Sequence, residues 1–129
     1  MKKILFGISI LAILLSSKKV LAQSPAEIVG AIVSEASTTY KVDADVMWRT
    51  LWCESRFVFD AHGDPNLGHS FGVAQINLRW HPEITYEQAI NPVFAIDFMA
   101  REMAAGRANK WTCYRQLFGT STDLAIKGN

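Results

Sequence analysis

Apolar residues recur along this chain in two rhythms. From Ile4 to Leu15 they run almost unbroken, interrupted by Gly7 and Ser9, until Ser16, Ser17, Lys18 and Lys19 end the run. Beyond Gln23 they recur at helical spacing. Ser24-Pro25-Ala26-Glu27 reads as a capping box with proline at the first helical position, and Ile28, Ile32 and Ala36 carry that helix to about Thr39. Asp43 is placed to cap a second helix that runs to about Ser55. Asn91-Pro92 opens a third, bearing Phe94, Ile96, Phe98, Met99 and Met103, with Gly106 as its stop. A short fourth helix spans Asn109 to Phe118 and closes on Gly119.

Between the second and third helices lies a long region, Arg56 to Ile90, rich in Gly, Asp, Asn and His. Loops longer than about 12 to 15 residues are usually functional or disordered. Phe71, Val73, Ile76 and Trp80 make this one too apolar for disorder, so it is expected to pack on the helices and wall a site. No repeat or low-complexity linker breaks the pattern. The expectation is one mainly α domain over residues 23–129.

Composition and charge alter the picture at the N-terminus. The chain has 129 residues, enough for one compact domain. Lys2 and Lys3 precede an apolar run shorter than the roughly 20 residues a spanning helix needs. Val20-Leu21-Ala22 supplies the small and branched residues a signal peptidase reads, so residues 1–22 are expected to be an export signal cleaved after Ala22. An uncleaved anchor is the other reading, because Lys18 and Lys19 sit unusually close to the cut. Of 13 Lys and Arg, four precede Gln23, whereas all 12 acids follow it, so the mature part carries nine basic residues and a formal charge of −3. Nucleic acid is therefore not an expected partner, nor is a substrate held mainly by opposite charge. A monomer that meets the membrane only through its export signal is expected. Cys53 and Cys113 both fall in the exported part, where an even pair is expected to bridge.

Glu54 is the residue with the most pointed chemistry. Met47, Thr50 and Leu51 precede it on one helical face, which is largely apolar. Partial desolvation and the negative end of the helix dipole both disfavour its carboxylate. A glutamic acid kept protonated near neutral pH is the proton donor that a glycosidic leaving oxygen needs. On periodicity alone, a solvated glutamate at a helix end is the competing reading.

Cys53-Glu54-Ser55-Arg56-Phe57 is followed by Ser70-Phe71-Gly72-Val73-Ala74-Gln75-Ile76-Asn77, and then by Arg79-Trp80. These segments, in this order, resemble the paired signatures of the lysozyme-like superfamily, and of its lytic transglycosylases in particular. The resemblance covers about Asp43 to Tyr114. It implies a lysozyme-like α domain whose long, partly irregular loop region lines a glycan cleft. It implies a catalytic acid at Glu54, with Ser55 orienting the site. Gln75 and the backbone around Asn77 resemble the segment that reads an N-acetyl group. Trp80 resembles an aromatic platform for a pyranose ring, with simple core packing as the alternative. Transglycosylases carry an Ala-Tyr-Asn-like motif whose tyrosine points at the acid; here Thr112-Cys113-Tyr114-Arg115 stands in its place. A Cys53–Cys113 bridge draws Tyr114 toward Glu54 and lets Trp111 form an apolar pocket around the acid.

One departure bears on mechanism. Retaining lysozymes place a second carboxylate before the aromatic-Gly pair, and this chain has Ser70 there. Serine is neither nucleophile nor charge stabiliser at that position. Either the N-acetyl group of the substrate assists, as in lytic transglycosylases acting on peptidoglycan, or another carboxylate activates water in an inverting hydrolase. Asp60 and Asp64 are the loop candidates for the second role, although Gly63-Asp64-Pro65-Asn66 also reads as a turn. His62, His69 and His81 lack the spacing of a zinc motif, so no metal or other cofactor is expected. A lysozyme-like module that binds glycan without cutting it is the non-enzymatic alternative.

Overall fold

A computed structural model describes residues 22–63, 66 and 68–126. Apart from Ala22, the expected export signal lies outside the described residues, and so does Asp64.

Helix α1 (Pro25–Tyr40) starts where Ser24 Oγ accepts from Glu27 N at 3.2 Å, the N-cap half of the predicted box. It ends on Lys41 in a left-handed conformation. Helix α2 (Ala44–Ser55) is capped by Asp43, whose carboxylate accepts from Val46 N at 3.0 Å. At its other end both Arg56 (φ 53°) and Phe57 (φ 61°) are left-handed, which side chains rarely adopt. Packing holds that turn in place: the Phe57 ring lies 4.4 Å from the Trp48 ring and 5.1 Å from the Trp52 ring.

The described residues between Arg56 and Ile90 carry regular elements where the sequence reads as one long loop. They include an antiparallel hairpin of β1 (Ser70–Phe71) and β2 (Ile76–Asn77), with Ser70 opposite Asn77 and Phe71 opposite Ile76. The preceding segment folds back onto β1 through Gly63 N to Ser70 O (3.0 Å) and Gly72 N to Ala61 O (2.8 Å). Gly72 is required there, since its φ is 82° and a Cβ would stand 1.8 Å from the Ala89 carbonyl oxygen. A short helix α3 (Tyr86–Ile90) follows, with a complete capping box between Thr85 and Gln88.

Helix α4 (Pro92–Ala104) begins as predicted, with Asn91 Oδ1 accepting from Val93 N and Phe94 N. The predicted fourth helix is broken in two, a 3-10 turn at Ala108–Lys110 and helix α5 (Thr112–Phe118). Trp111 between them is extended, and its indole Nε1 donates to Ala74 O at 2.8 Å, so its ring turns inward where a continuous helix would carry it past. A last 3-10 turn, Asp123–Ala125, brings Ile126 into a bridge with Val42.

The protein is thus mainly helical with one small hairpin. Helix α1 packs on α4 and α2, and α2 packs on α5. Met47, Leu51, Ile76, Ile96, Met99, Met103 and Tyr114 fill the core between them, fully buried. Cys53 and Cys113 are bonded, with Cα atoms 5.8 Å apart, which ties the end of α2 to the start of α5.

Candidate functional site

Burial of Met47, Thr50 and Leu51 fixes the rotation of α2 and so the direction in which Glu54 leaves its last turn. Glu54 is half-buried in the wall of a cavity of about 710 Å³. Its Oε1 accepts from Cys113 N at 3.1 Å, a contact that lies beside the Cys53–Cys113 disulfide. Burial raises the proton affinity of this carboxyl above the ordinary glutamate range, against the Cys113 N–H and the Arg115 charge, which both favour the anion. The group is therefore biased toward holding a proton, yet keeps a donor ready to stabilise the carboxylate once that proton is given away.

Ser70, Gln75, Asn77 and Trp80 line the same cavity. Ser70 and Asn77 are a cross-strand pair of the hairpin. Gln75 is left-handed (φ 48°), and its Nε2 donates to Ala61 O (3.1 Å) and Gly72 O (2.9 Å), so the side chain clamps the loop that it shares with the cavity. Asn77 Oδ1 accepts from Arg79 N (3.0 Å) and Trp80 N (3.4 Å), fixing the turn that presents Trp80. Trp80 is 76% exposed, which excludes core packing as its role. Trp111 does line the cavity beside Glu54, as an inward-turned aromatic wall.

Two residues expected at the site, Ser55 and Tyr114, are not among those that line the cavity. Ser55 is buried and lies off the cavity; its Oγ donates to Leu51 O (3.1 Å) and accepts from Phe57 N (3.2 Å), so it secures the end of α2. Tyr114 is also off the cavity. Its chain neighbour Cys113 meets Glu54, but the tyrosine ring points into the core and its hydroxyl donates to Ser121 O at 2.5 Å. Tyr114→Phe is accordingly expected to retain at least half of any glycan-cleaving activity while losing about 1 kcal/mol of stability, read from urea melts beside initial rates.

Sequence reasoning assigned no substrate role to His81, Phe98, Lys110 or Thr112, which also line the cavity. Phe98 reads as an ordinary core position of α4, and the sequence pattern puts Lys110 and Thr112 within one continuous helix. In the sequence His81 offers itself only as a metal ligand; its Nδ1 lies 3.3 Å from Glu83 Oε1 and its ring meets the Phe98 ring edge-on at 5.0 Å. Among the described residues, no group of three or more His, Cys, Asp or Glu is arranged to hold a metal ion. Among the described residues lining the cavity, Glu54 is the sole carboxylate.

Glu102, beside the cavity, is gripped by Arg107 through Nε (2.5 Å) and Nη2 (3.0 Å) and by Lys110 Nζ (3.0 Å). These cations, the Arg107 hydrogen bonds first, lower its carboxyl to about 2. A depressed acid adds stability that is present above the unfolded value of 4.5 and is lost as pH falls toward about 2. Glu102→Gln is expected to lower stability at pH 7 by about 1 to 2 kcal/mol, discounted because both cations are half exposed. Urea melts should show that difference vanish near pH 2.

Comparisons of the chain with protein-family profiles, with curated proteins and with solved structures returned no match.

Proposed function

We propose that this chain is an exported peptidoglycan-cleaving enzyme with a lysozyme-like domain, acting as a lytic transglycosylase on the bond between N-acetylmuramyl and N-acetylglucosaminyl units. The observation that carries the reading is Glu54 itself: a half-buried acid with raised proton affinity, and the sole carboxylate among the described residues that line the cavity. The Glu-Ser and Gly-x-x-Gln-Ile-Asn segments, the exposed Trp80 and the disulfide beside the acid support it.

In this reading Glu54 gives its proton to the leaving glycosidic oxygen as that bond breaks. The acetamido oxygen of the muramyl unit stabilises the cationic carbon, and the Glu54 carboxylate, held by the Cys113 N–H, then takes the proton of the muramyl 6-hydroxyl. That oxygen closes onto the same carbon, so the proton returns to Glu54 and no water is consumed. Trp80 offers a flat apolar face to a sugar ring, while Ser70 and Asn77 supply polar contacts beside it.

Mass spectrometry of peptidoglycan digested with residues 23–129 tests this directly. Anhydro-muramyl ends are expected. Reducing ends would replace the reading by hydrolysis and require a second carboxylate, and binding without any cleavage would leave a glycan-binding module.

A further inference from the structure

We infer that Lys110 recognises a carboxylate carried by the glycan, so that the cavity selects strands with anionic appendages over uncharged sugar polymers; this rests on the glycan reading above. Among the described residues that line the cavity, Lys110 alone bears a permanent positive charge. Its ammonium lies 3.0 Å from Glu102 Oε2, but Arg107 already engages both oxygens of that carboxylate. Two cations on one anion leave the cluster one positive charge in excess. An ammonium has three N–H donors and Glu102 takes one, which leaves two for an incoming group on a side chain that is 45% exposed.

The charge is also fixed in place. Lys110 ends the 3-10 turn, and Arg115 Nη1 donates to the carbonyls of Asn109 (2.6 Å) and Lys110 (3.3 Å). The next residue, Trp111, is pinned by its indole to Ala74 O. Glu102, whose side chain is only 14% exposed, holds the ammonium at the cavity in the absence of ligand. Such a preset cation loses little freedom on binding, the condition under which a charged contact gains affinity. Residues 23–129 carry a formal charge of −3, so this cation at the candidate site runs against the overall balance. Carboxylates on a peptidoglycan strand come from two sources, the stem peptides and, where these are removed, the bared lactyl group.

Calorimetric titration separates these, using the Glu54→Gln chain to suppress turnover. The probes are strands with stem peptides, amidase-treated strands that keep only the lactyl carboxylate, and chitin oligosaccharides, which have none. Adding Lys110→Gln is expected to weaken the carboxylate-bearing probes roughly tenfold and chitin oligosaccharides less than about twofold, with Lys110→Arg restoring most of the loss. A loss confined to the first probe assigns the contact to the stem peptide, a loss confined to the amidase-treated strands assigns it to the bared lactyl carboxylate, and a loss on both means that either carboxylate is taken. Equal weakening on all three probes, or on none, overturns the inference. Turnover by the chain with Glu54 intact is measured in parallel. If it cleaves nothing while the charge contrast persists, the catalytic reading fails and the recognition stands; if no probe binds, both fail.

Discussion

On the proposed mechanism, Glu54→Gln is expected to reduce peptidoglycan turnover by about 1000-fold or more, because that mechanism assigns both proton transfers to one residue and glutamine performs neither. The change removes a proton, not shape, and the glutamine oxygen can still accept from Cys113 N, so strand binding is expected to persist. The pH dependence follows from the direction of the shift. Since the acid must start protonated, kcat/KM of the wild-type chain is expected to fall as pH rises through a value above the ordinary glutamate range. Stability carries the same sign. A carboxyl whose folded-state proton affinity is raised contributes stability that is present below its unfolded value and lost as pH rises through the folded one. Above that window the wild-type chain holds a poorly solvated anion, and glutamine does not. Thermal melts should therefore show Glu54→Gln at least as stable as wild type at pH 7, with the gap closing in acid. Substantial turnover by the variant would sink the catalytic assignment, and a less stable variant at pH 7 would contradict the burial argument.

The helices were legible because their ends carry local chemistry: Ser24, Asp43 and Asn91 each cap the helix predicted to start after it. The Thr85 and Gln88 box that opens α3 is equally local, but it sits inside a stretch whose Gly, Asp, Asn and His content masks a helix of five residues. The stops at Tyr40 and Ser55 fall where the apolar pattern ends these helices, although the left-handed residues that follow, Lys41 and Arg56, are not the glycines such a position favours. The break at Trp111 was not legible, because it depends on a carbonyl 37 positions earlier in the chain. The same distinction runs through the site. Glu54 stands out only when its helical face is taken together with the motif segments around it, whereas the hydroxyls of Ser55 and Tyr114 are spent on Leu51 O and Ser121 O, partners that residue type does not announce. Lys110 lines the cavity from the 3-10 turn that replaces the first part of the predicted fourth helix.

Replacing both cysteines, Cys53→Ser with Cys113→Ser, is expected to cost about 4 kcal/mol, since the bridge closes a sequence separation of 60 residues and restricts the unfolded chain accordingly. For a domain of this size that corresponds to a fall in Tm of roughly 15 °C or more. The bridge has a second effect that a simple staple lacks. It holds the start of α5 so that Cys113 N reaches Glu54 Oε1, and that N–H is one of two influences lowering the proton affinity of the acid. Without the covalent tie, α5 is left on α2 by packing alone, and any lengthening of the N–H contact leaves desolvation less opposed. The double serine variant, assayed well below its own Tm, is therefore expected to lose kcat through a less stabilised carboxylate and to shift the alkaline limb of its pH profile upward. Wild type treated with reductant should move the same way, because both lack the bond and only one has altered side chains. A lowered Tm with an unchanged pH profile would mean that packing alone keeps Cys113 N on Glu54, and the disulfide would then be confined to stability.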